Sequence, residues 1–125
     1  MVLFLCSSVK DVLTSLCPLV LVSMSSNAST DGSVTRSCNA NLPVGDLSSI
    51  SYRLQGYAHH ACTYTIATYN SSGTVIASNT ISLNRDYNAH DYTINATNAV
   101  RLYVSLSFGS GPGGHSGAVT ILSVN

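Results

Sequence analysis

The sequence predicts an all-β protein, an antiparallel two-sheet sandwich of about seven or eight strands in a jelly-roll or immunoglobulin-like arrangement. Two observations lead to this prediction. Short segments of alternating apolar and polar residues recur along residues 33–124, and turn-forming residues separate them. No segment there has the 3.6-residue period of an amphipathic helix. The sandwich domain takes up residues 30–125, and an apolar N-terminal segment, residues 1–29, precedes it.

The strand pattern occurs, in chain order, at residues 33–38, 49–57, 62–69, 74–83, 91–96, 100–108 and 117–124. Residues 100–108 alternate without a break, which puts Val100, Leu102, Val104, Leu106 and Phe108 on one face of a half-buried strand. Residues 62–69 and 74–83 flank the sequence Asn-Ser-Ser-Gly, a short turn that predicts a hairpin. The glycine-rich residues 109–117 are expected to form a long hairpin loop.

The composition excludes a nucleic-acid-binding function. Charged residues make up 8% of the chain, against a usual quarter or so, and the formal net charge is zero. Binding to nucleic acid depends on lysine and arginine neutralising phosphates, whereas the five basic residues here are scattered and matched by five acidic ones. A neutral surface also lacks the mutual repulsion that keeps protein copies apart. The composition therefore favours association or adhesion.

The N-terminal segment has two interpretations. It does not predict a membrane span, because Lys10 and Asp11 interrupt an apolar stretch that would need about 20 residues. It has the features of a signal peptide that is cleaved near residue 28. It also has the features of a retained arm that docks onto another copy of the protein. The apolar residues of such an assembly arm are Val2, Leu3, Phe4, Leu5, Leu19, Val20, Leu21 and Val22.

Four cysteines, Cys6, Cys17, Cys38 and Cys62, are disulfide candidates in a small chain of extracellular composition. If the N-terminal segment is cleaved, Cys38 and Cys62 remain and are expected to pair. If it is retained, Cys6 and Cys17 can reach Cys38 or Cys62 of the same or a neighbouring subunit. The remaining alternative is that all four are buried thiols.

No catalytic, cofactor or metal site is predicted, and the protein is not expected to be an enzyme. The chain has no Gly-x-Ser-x-Gly motif and offers isolated aspartates where glycoside hydrolysis needs paired carboxylates. The histidines fall in three separate loops, and no CxxC spacing occurs.

Asparagines in glycosylation sequons and the seven tyrosines are candidate surface features. The sequons begin at Asn27, Asn70 and Asn95, and Asn70 lies in the predicted hairpin turn. The tyrosines suit a sugar-stacking platform or subunit contacts, and they equally suit the packing of sheet faces.

From Cys38 onward the order of parts is a cysteine, an alternating strand, the hairpin YTIATYNSSGTVIASNTISL, the segment DYTINATNAVRLYVSL, a glycine-containing loop and the closing strand GAVTILSVN. This order resembles the subunits of bacterial endospore appendages, jelly-roll proteins that N-terminal connectors cross-link into fibres. The resemblance implies that Cys6 and Cys17 belong to a connector and that Cys38 or Cys62 of a neighbouring subunit receives them.

The sequence thus favours a structural subunit of an extracellular filament, pilus-like appendage or surface layer, located outside the cell or on its surface. Its partners would be other copies of itself. The alternative is a secreted carbohydrate-binding or host-targeted β-sandwich module with a cleaved signal peptide, whose partners would be glycans. Neither interpretation requires a cofactor.

Overall fold

A computed structural model describes residues 9–28, 36–58, 61–84, 88–108 and 113–125. These residues form one helix followed by eight strands. The elements are α1 (Val9–Leu16), β1 (Leu19–Ala28), β2 (Arg36–Pro43), β3 (Ser49–Ala58), β4 (Ala61–Tyr69), β5 (Val75–Asn84), β6 (His90–Asn95), β7 (Arg101–Phe108) and β8 (Gly113–Val124).

The strands form two four-stranded sheets that face each other. Sheet A has the order β1-β8-β3-β6, and sheet B has the order β2-β7-β4-β5. All the pairings are antiparallel. The predicted all-β sandwich is therefore confirmed. The first two strands lie in different sheets and the first strand pairs with the last, which is the arrangement of a jelly roll, since an immunoglobulin fold keeps its first two strands in one sheet.

Strand β7 shows how the sequence pattern produces the core. Leu102, Val104, Leu106 and Phe108 are buried between the sheets, while the residues between them are half-buried on the outer face of sheet B. Val100 departs from the prediction, because it precedes β7 and is exposed. Its amide donates to the carbonyl of Tyr69, so the chain bends around the end of the sheet before the strand begins.

The predicted hairpin is formed by β4 and β5. In the turn, the amide of Asn70 donates to the carbonyl of Thr74 at 3.0 Å, and the side-chain oxygen of Asn70 accepts from the amides of Ser72 and Thr74 at 2.9 and 3.0 Å. Gly73 has φ of 79°, a conformation that glycine adopts without steric cost. The short Asn-Ser-Ser-Gly sequence thus satisfies its own backbone groups.

Polar groups tie the two sheets together within the core. The Tyr52 hydroxyl, on sheet A, accepts a hydrogen bond from the Asn79 amide on sheet B at 3.1 Å. The Thr68 hydroxyl, fully buried on sheet B, donates to the carbonyl of Asn95 on sheet A at 2.8 Å. Buried polar groups without such partners would destabilise the fold, so these bonds fix the relative position of the sheets.

The N-terminal segment supplies a helix and a strand to the sandwich. Leu13 of α1 and Val22 of β1 are both buried in the core. Helix α1 ends before Pro18, because proline lacks an amide hydrogen and disfavours helical geometry in the residue before it. Strand β1 then pairs with β8 from Leu19 opposite Ile121 to Ala28 opposite Gly113.

This position differs from the docking arm that the sequence suggested for residues 19–22. Leu19, Val20, Leu21 and Val22 form the first part of β1 in the protein's own sheet A, whereas Val2, Leu3, Phe4 and Leu5 lie outside the described residues. No strand was predicted here because residues 19–22 are all apolar and show no alternation, and the pairing shifts register between Val20 and Val22. The apolar residues of α1 also run directly into those of β1.

Replacing Leu13 with alanine tests whether α1 is an integral part of the fold. Leu13 is 3% exposed, so Leu13→Ala should lower the free energy of unfolding by about 2–5 kcal/mol through lost burial and a cavity. Leu16 of the same helix is 47% exposed, and Leu16→Ala should change it by less than about 0.5 kcal/mol. Urea denaturation of both variants measures the difference. Equal midpoints would mean that α1 does not pack on the sandwich.

Candidate functional site

The described connections of the sandwich gather at one end. They are the β2–β3 loop (residues 44–48), the β4–β5 turn (70–74), the β6–β7 loop (96–100) and the junction of α1 with β1, and Asn125 ends the chain there. The connections at the opposite end, residues 29–35, 59–60, 85–87 and 109–112, lie outside the described residues. Loops at the end of a rigid sandwich are the usual place for a binding site.

Two adjoining hollows lie at this end. The loop hollow, of about 610 Å³, lies among the β2–β3 loop, the β4–β5 turn and the β6–β7 loop. The arginine hollow, of about 420 Å³, lies beside it and is lined by the last residues of β2 and by Arg101 at the start of β7. Asn70, Ser71 and Val100 line both hollows. The two therefore form one continuous depression.

The loops around the depression are anchored to the core of the sandwich. Val44 and Leu47 of the β2–β3 loop are buried in the core, as are Ala96 and Ala99 of the β6–β7 loop. The amide of Ala96 donates to the carbonyl of Ser48 at 2.9 Å, which joins the two loops directly. Since both loops are anchored by apolar contacts and backbone hydrogen bonds, the depression is pre-formed.

Two residues on the rim have a left-handed backbone. Asp46 has φ of 60° and Asn98 has φ of 64°, and both line the loop hollow from opposite loops. Aspartate and asparagine tolerate this conformation better than other residues with a side chain. These two turns bring a carboxylate and an amide to the loop hollow.

Arg101, in the wall of the arginine hollow, is held by one hydrogen bond and one aromatic contact. Its Nη1 donates to Asn41 Oδ1 at 2.7 Å, and its guanidinium carbon lies 3.9 Å from the centre of the Tyr69 ring. The register explains the cluster, because Arg101 of β7 is opposite Pro43 of β2 on one side and Tyr69 of β4 on the other. A cation over an aromatic face is attracted by the ring, and the contact fixes the guanidinium plane.

Apart from Asp46 and Arg101, the residues that line the depression offer neutral hydrogen-bonding groups beside small apolar patches. Amides and hydroxyls come from Asn41, Asn70, Asn98, Ser71 and Thr97. Exposed apolar surface comes from Val100, 45% exposed. Such a surface suits a polar, uncharged or weakly charged ligand that also has C–H faces.

The predicted tyrosine platform is not one surface in the structure. Tyr52 and Tyr64 are buried in the core, and Tyr92 stacks on Tyr52 with ring centres 5.8 Å apart. Tyr69 and Tyr103 are half-buried on the outer side of sheet B, and Tyr69 supports Arg101. Packing of sheet faces therefore accounts for three of the described tyrosines.

The structure gives different settings to the three sequon asparagines. Asn70 is half-buried, and its side-chain oxygen is engaged in the hairpin turn. Asn95 is exposed at the end of β6, where its side-chain oxygen accepts from the amide of Thr97 at 3.0 Å. Asn27 lies in β1, and its side chain is outside the described part of the structure. Their glycosylation stays a prediction.

The cysteines do not form the expected disulfide within one chain. Cys38 on β2 is opposite Leu106, and Cys62 on β4 is opposite Phe108, so strand β7 lies between the two thiols. Strands on either side of a third are roughly 10 Å apart, beyond the Cα separation of about 7 Å at which a disulfide can close. Cys17, Cys38 and Cys62 are free thiols, and Cys6 lies outside the described residues.

Sequence reasoning did not find the depression, although single signals were present. The alternation of β7 predicted that Arg101 lies on the outer face of the strand, but the alternation does not indicate which residues Arg101 contacts. The cluster needs Asn41, Tyr69 and Arg101, which are distant in sequence and meet only through sheet register.

No protein-family model matches the sequence, and no curated protein does. Among solved structures, the enzymatically active domain of tailspike protein 4 of bacteriophage CBA120 aligns with 84% of this chain and 18% of its own, at 10% identity and a TM-score of 0.57. The carbohydrate-binding module CBM4 aligns over 82% and 71% at 15% identity and a TM-score of 0.48. The module CBM1 of BiXyn10A aligns over 80% and 72% at 18% identity and a TM-score of 0.47.

The tailspike likeness shows a shared β-sandwich fold. This chain spans less than a fifth of the tailspike chain, and the identity is too low to transfer an activity. None of these structures is an endospore-appendage subunit, so that resemblance stays a prediction. Within the described ranges, no helix is long and apolar enough to cross a membrane, and no three histidine, cysteine or acidic side chains are grouped as metal ligands.

Alkylation with iodoacetamide at pH 8 tests the placement of the thiols. Burial raises the pKa of the Cys62 thiol to about 11, so very little reactive thiolate is present at that pH. Cys17 and Cys38 are less buried, and we expect Cys62 to react at least about tenfold more slowly than either. Peptide mapping by mass spectrometry gives the three rates, and denatured protein serves as the control in which they converge. A Cys38–Cys62 disulfide in the map would contradict the strand order.

Proposed function

We propose that this protein is a non-catalytic, glycan-binding β-sandwich domain that works outside the cell or at its surface. The proposal depends on the depression, and above all on Arg101 and Asn41 in its wall and on the Tyr69 ring that contacts Arg101. The proposed location follows from the polar, nearly uncharged composition.

The depression has the groups that recognise sugars. A sugar presents hydroxyls that both donate and accept, and amide side chains such as Asn41 and Asn98 offer both functions. It also presents C–H faces, which pack on apolar surface such as that of Val100. Because the loops are anchored, ordering them on binding would cost little free energy.

A binding role fits this depression better than a hydrolytic one. Glycoside hydrolysis generally needs two carboxyl groups on either side of the scissile bond. Among the described residues that line the two hollows, Asp46 supplies a carboxylate and no second acid accompanies it. We therefore propose that the protein binds and releases the glycan without cleaving it.

Affinity electrophoresis against a panel of neutral and acidic polysaccharides tests glycan binding. Tyr69→Ala should weaken binding about tenfold, because it removes the aromatic ring that holds the Arg101 guanidinium in place. Tyr92→Ala is the matched control: Tyr92 is also a half-buried tyrosine, but it stacks on Tyr52 on sheet A and does not support Arg101. The proposal fails if no polysaccharide retards the wild type, or if both variants lose binding equally.

A second candidate is the structural subunit of an extracellular filament. One observation favours it: residues 9–28 form the first elements of the chain, and β1 lies at the edge of sheet A, where it pairs with β8. The same segment of a neighbouring copy could take this place and keep Leu13 and Val22 buried. Exchange of an identical element is a known route to assembly, and repeated head-to-tail exchange would propagate as a fibre.

A designed disulfide distinguishes the two arrangements. Ser23 of β1 lies opposite Ala118 of β8, so the double variant Ser23→Cys/Ala118→Cys should form a bond within one chain if β1 pairs with its own β8. In an exchanged filament the bond would join neighbouring copies, and a non-reducing gel would show a ladder of covalent multimers. Each single variant controls for bonds to the native cysteines. A monomer band that migrates as one cross-linked chain would rule out exchange.

A further inference from the structure

Arg53 and Arg101, which lie on the outer faces of sheets A and B, have different partners. On sheet A, Arg53 of β3 forms a two-point ion pair with Asp91 of β6, with Nε to Oδ1 at 2.7 Å and Nη2 to Oδ2 at 3.0 Å. On sheet B, Arg101 contacts the neutral amide of Asn41 and the neutral ring of Tyr69. In the part of the chain that the structure describes, no carboxylate lies within ion-pairing distance of Arg101.

The charge of Arg101 is therefore not neutralised where it lines the arginine hollow. Its guanidinium is held by one hydrogen bond and one stacking contact, so it is presented to the hollow in a defined plane. A guanidinium in a fixed plane can bind a carboxylate through two parallel hydrogen bonds, a geometry that lysine does not offer.

The other charge of the depression is placed apart from it. Asp46 lines the loop hollow and does not line the arginine hollow, and the two hollows share Asn70, Ser71 and Val100. An anionic group at Arg101 would not share the arginine hollow with Asp46, and a neutral hydroxyl-bearing group would suit the loop hollow, where Thr97 and Asn98 offer hydrogen bonds.

We propose that the ligand is an acidic glycan whose sugar carboxylate binds Arg101 in the arginine hollow, while a neighbouring neutral unit occupies the loop hollow. This inference rests on the proposed glycan-binding function and narrows it to sugars that bear a carboxylate. It assigns Arg101 as the residue that selects the charge of the ligand, and it assigns Tyr69 and Asn41 as positioning residues that hold the guanidinium.

The experiment compares acidic polysaccharides with their neutralised forms. Polygalacturonate, alginate and hyaluronan are tested by isothermal titration calorimetry against the same polymers after carboxyl reduction, alongside neutral polysaccharides and dextran sulfate. The wild type should bind at least one acidic polymer about tenfold more tightly than it binds the carboxyl-reduced form of that polymer. This difference in affinity should shrink as the salt concentration is raised. Dextran sulfate separates recognition of a carboxylate from attraction to any anion.

Four variants assign the effect to the site. Arg101→Gln should lose about tenfold in affinity for the acidic polymer and should bind the reduced polymer as wild type does. Arg53→Gln is the matched control, an outer-face arginine remote from the depression, and should bind both polymers unchanged. Asp46→Asn should bind the acidic polymer at least as tightly as wild type. Arg101→Lys should recover only part of the loss, because a lysine keeps the charge without the planar fork.

The possible outcomes test the acidic-ligand inference and the glycan-binding proposal separately. Equal binding of acidic and reduced polymers would overturn the acidic-ligand inference and leave the glycan-binding proposal standing. No binding to any polymer, neutral or acidic, would overturn the glycan-binding proposal itself. The protein could also bind dextran sulfate as tightly as the acidic polymers, with Arg53→Gln and Arg101→Gln losing the same affinity. That result would show non-specific attraction to anions and would overturn the assignment of the site to Arg101. Circular dichroism and thermal unfolding of Arg101→Gln confirm that the variant is folded.

Discussion

The register of β7 between β2 and β4 is the constraint on which the site and much of the core depend. Burial of its four apolar side chains fixes which face of the strand points inward. A shift of one residue would move that entire set to the outside, so the register is strongly specified. The same register places Arg101 between Asn41 and Tyr69 and holds Cys38 and Cys62 on opposite sides of the strand. The core and the candidate site are therefore consequences of one pairing.

The low charge of the chain gives each charged group a large share of the local electrostatics. Charged residues are 8% of the sequence, so few other charges lie near any one arginine to offset its electrostatic field. Arg53 is neutralised by Asp91 on sheet A, whereas Arg101 is held by neutral groups on sheet B. Among the described residues, the outer face of sheet A therefore carries a neutralised arginine and that of sheet B an arginine without a counter-charge, although both faces consist mostly of hydroxyls and amides. This difference is the reason to place ligand selectivity at Arg101.

The position of residues 9–28 changes how the functional hypotheses compare. As an arm free of the sandwich, this segment would have been the obvious means of assembly. In the structure it contributes Leu13 and Val22 to the core and supplies the edge strand of sheet A. Removal of the segment would therefore strip β8 of one of its two partner strands and open one side of the core. A filament built through it would have to exchange an element that already belongs to the fold.

The sequence by itself determined the fold class and every described strand except β1, because alternation along a strand is a local property and the hairpin turn satisfies its own backbone groups. The pattern at residues 100–108 placed Leu102, Val104, Leu106 and Phe108 inside, and all four are buried. Local signals could not reveal β1, since residues 19–22 are all apolar and show no alternation. They could not choose between jelly roll and immunoglobulin topology either. Tertiary structure decided which strands pair, and thereby the separation of Cys38 from Cys62 and the meeting of Asn41, Tyr69 and Arg101 across three strands. Those contacts join residues distant in sequence, and only the pairing energy of whole strands selects them.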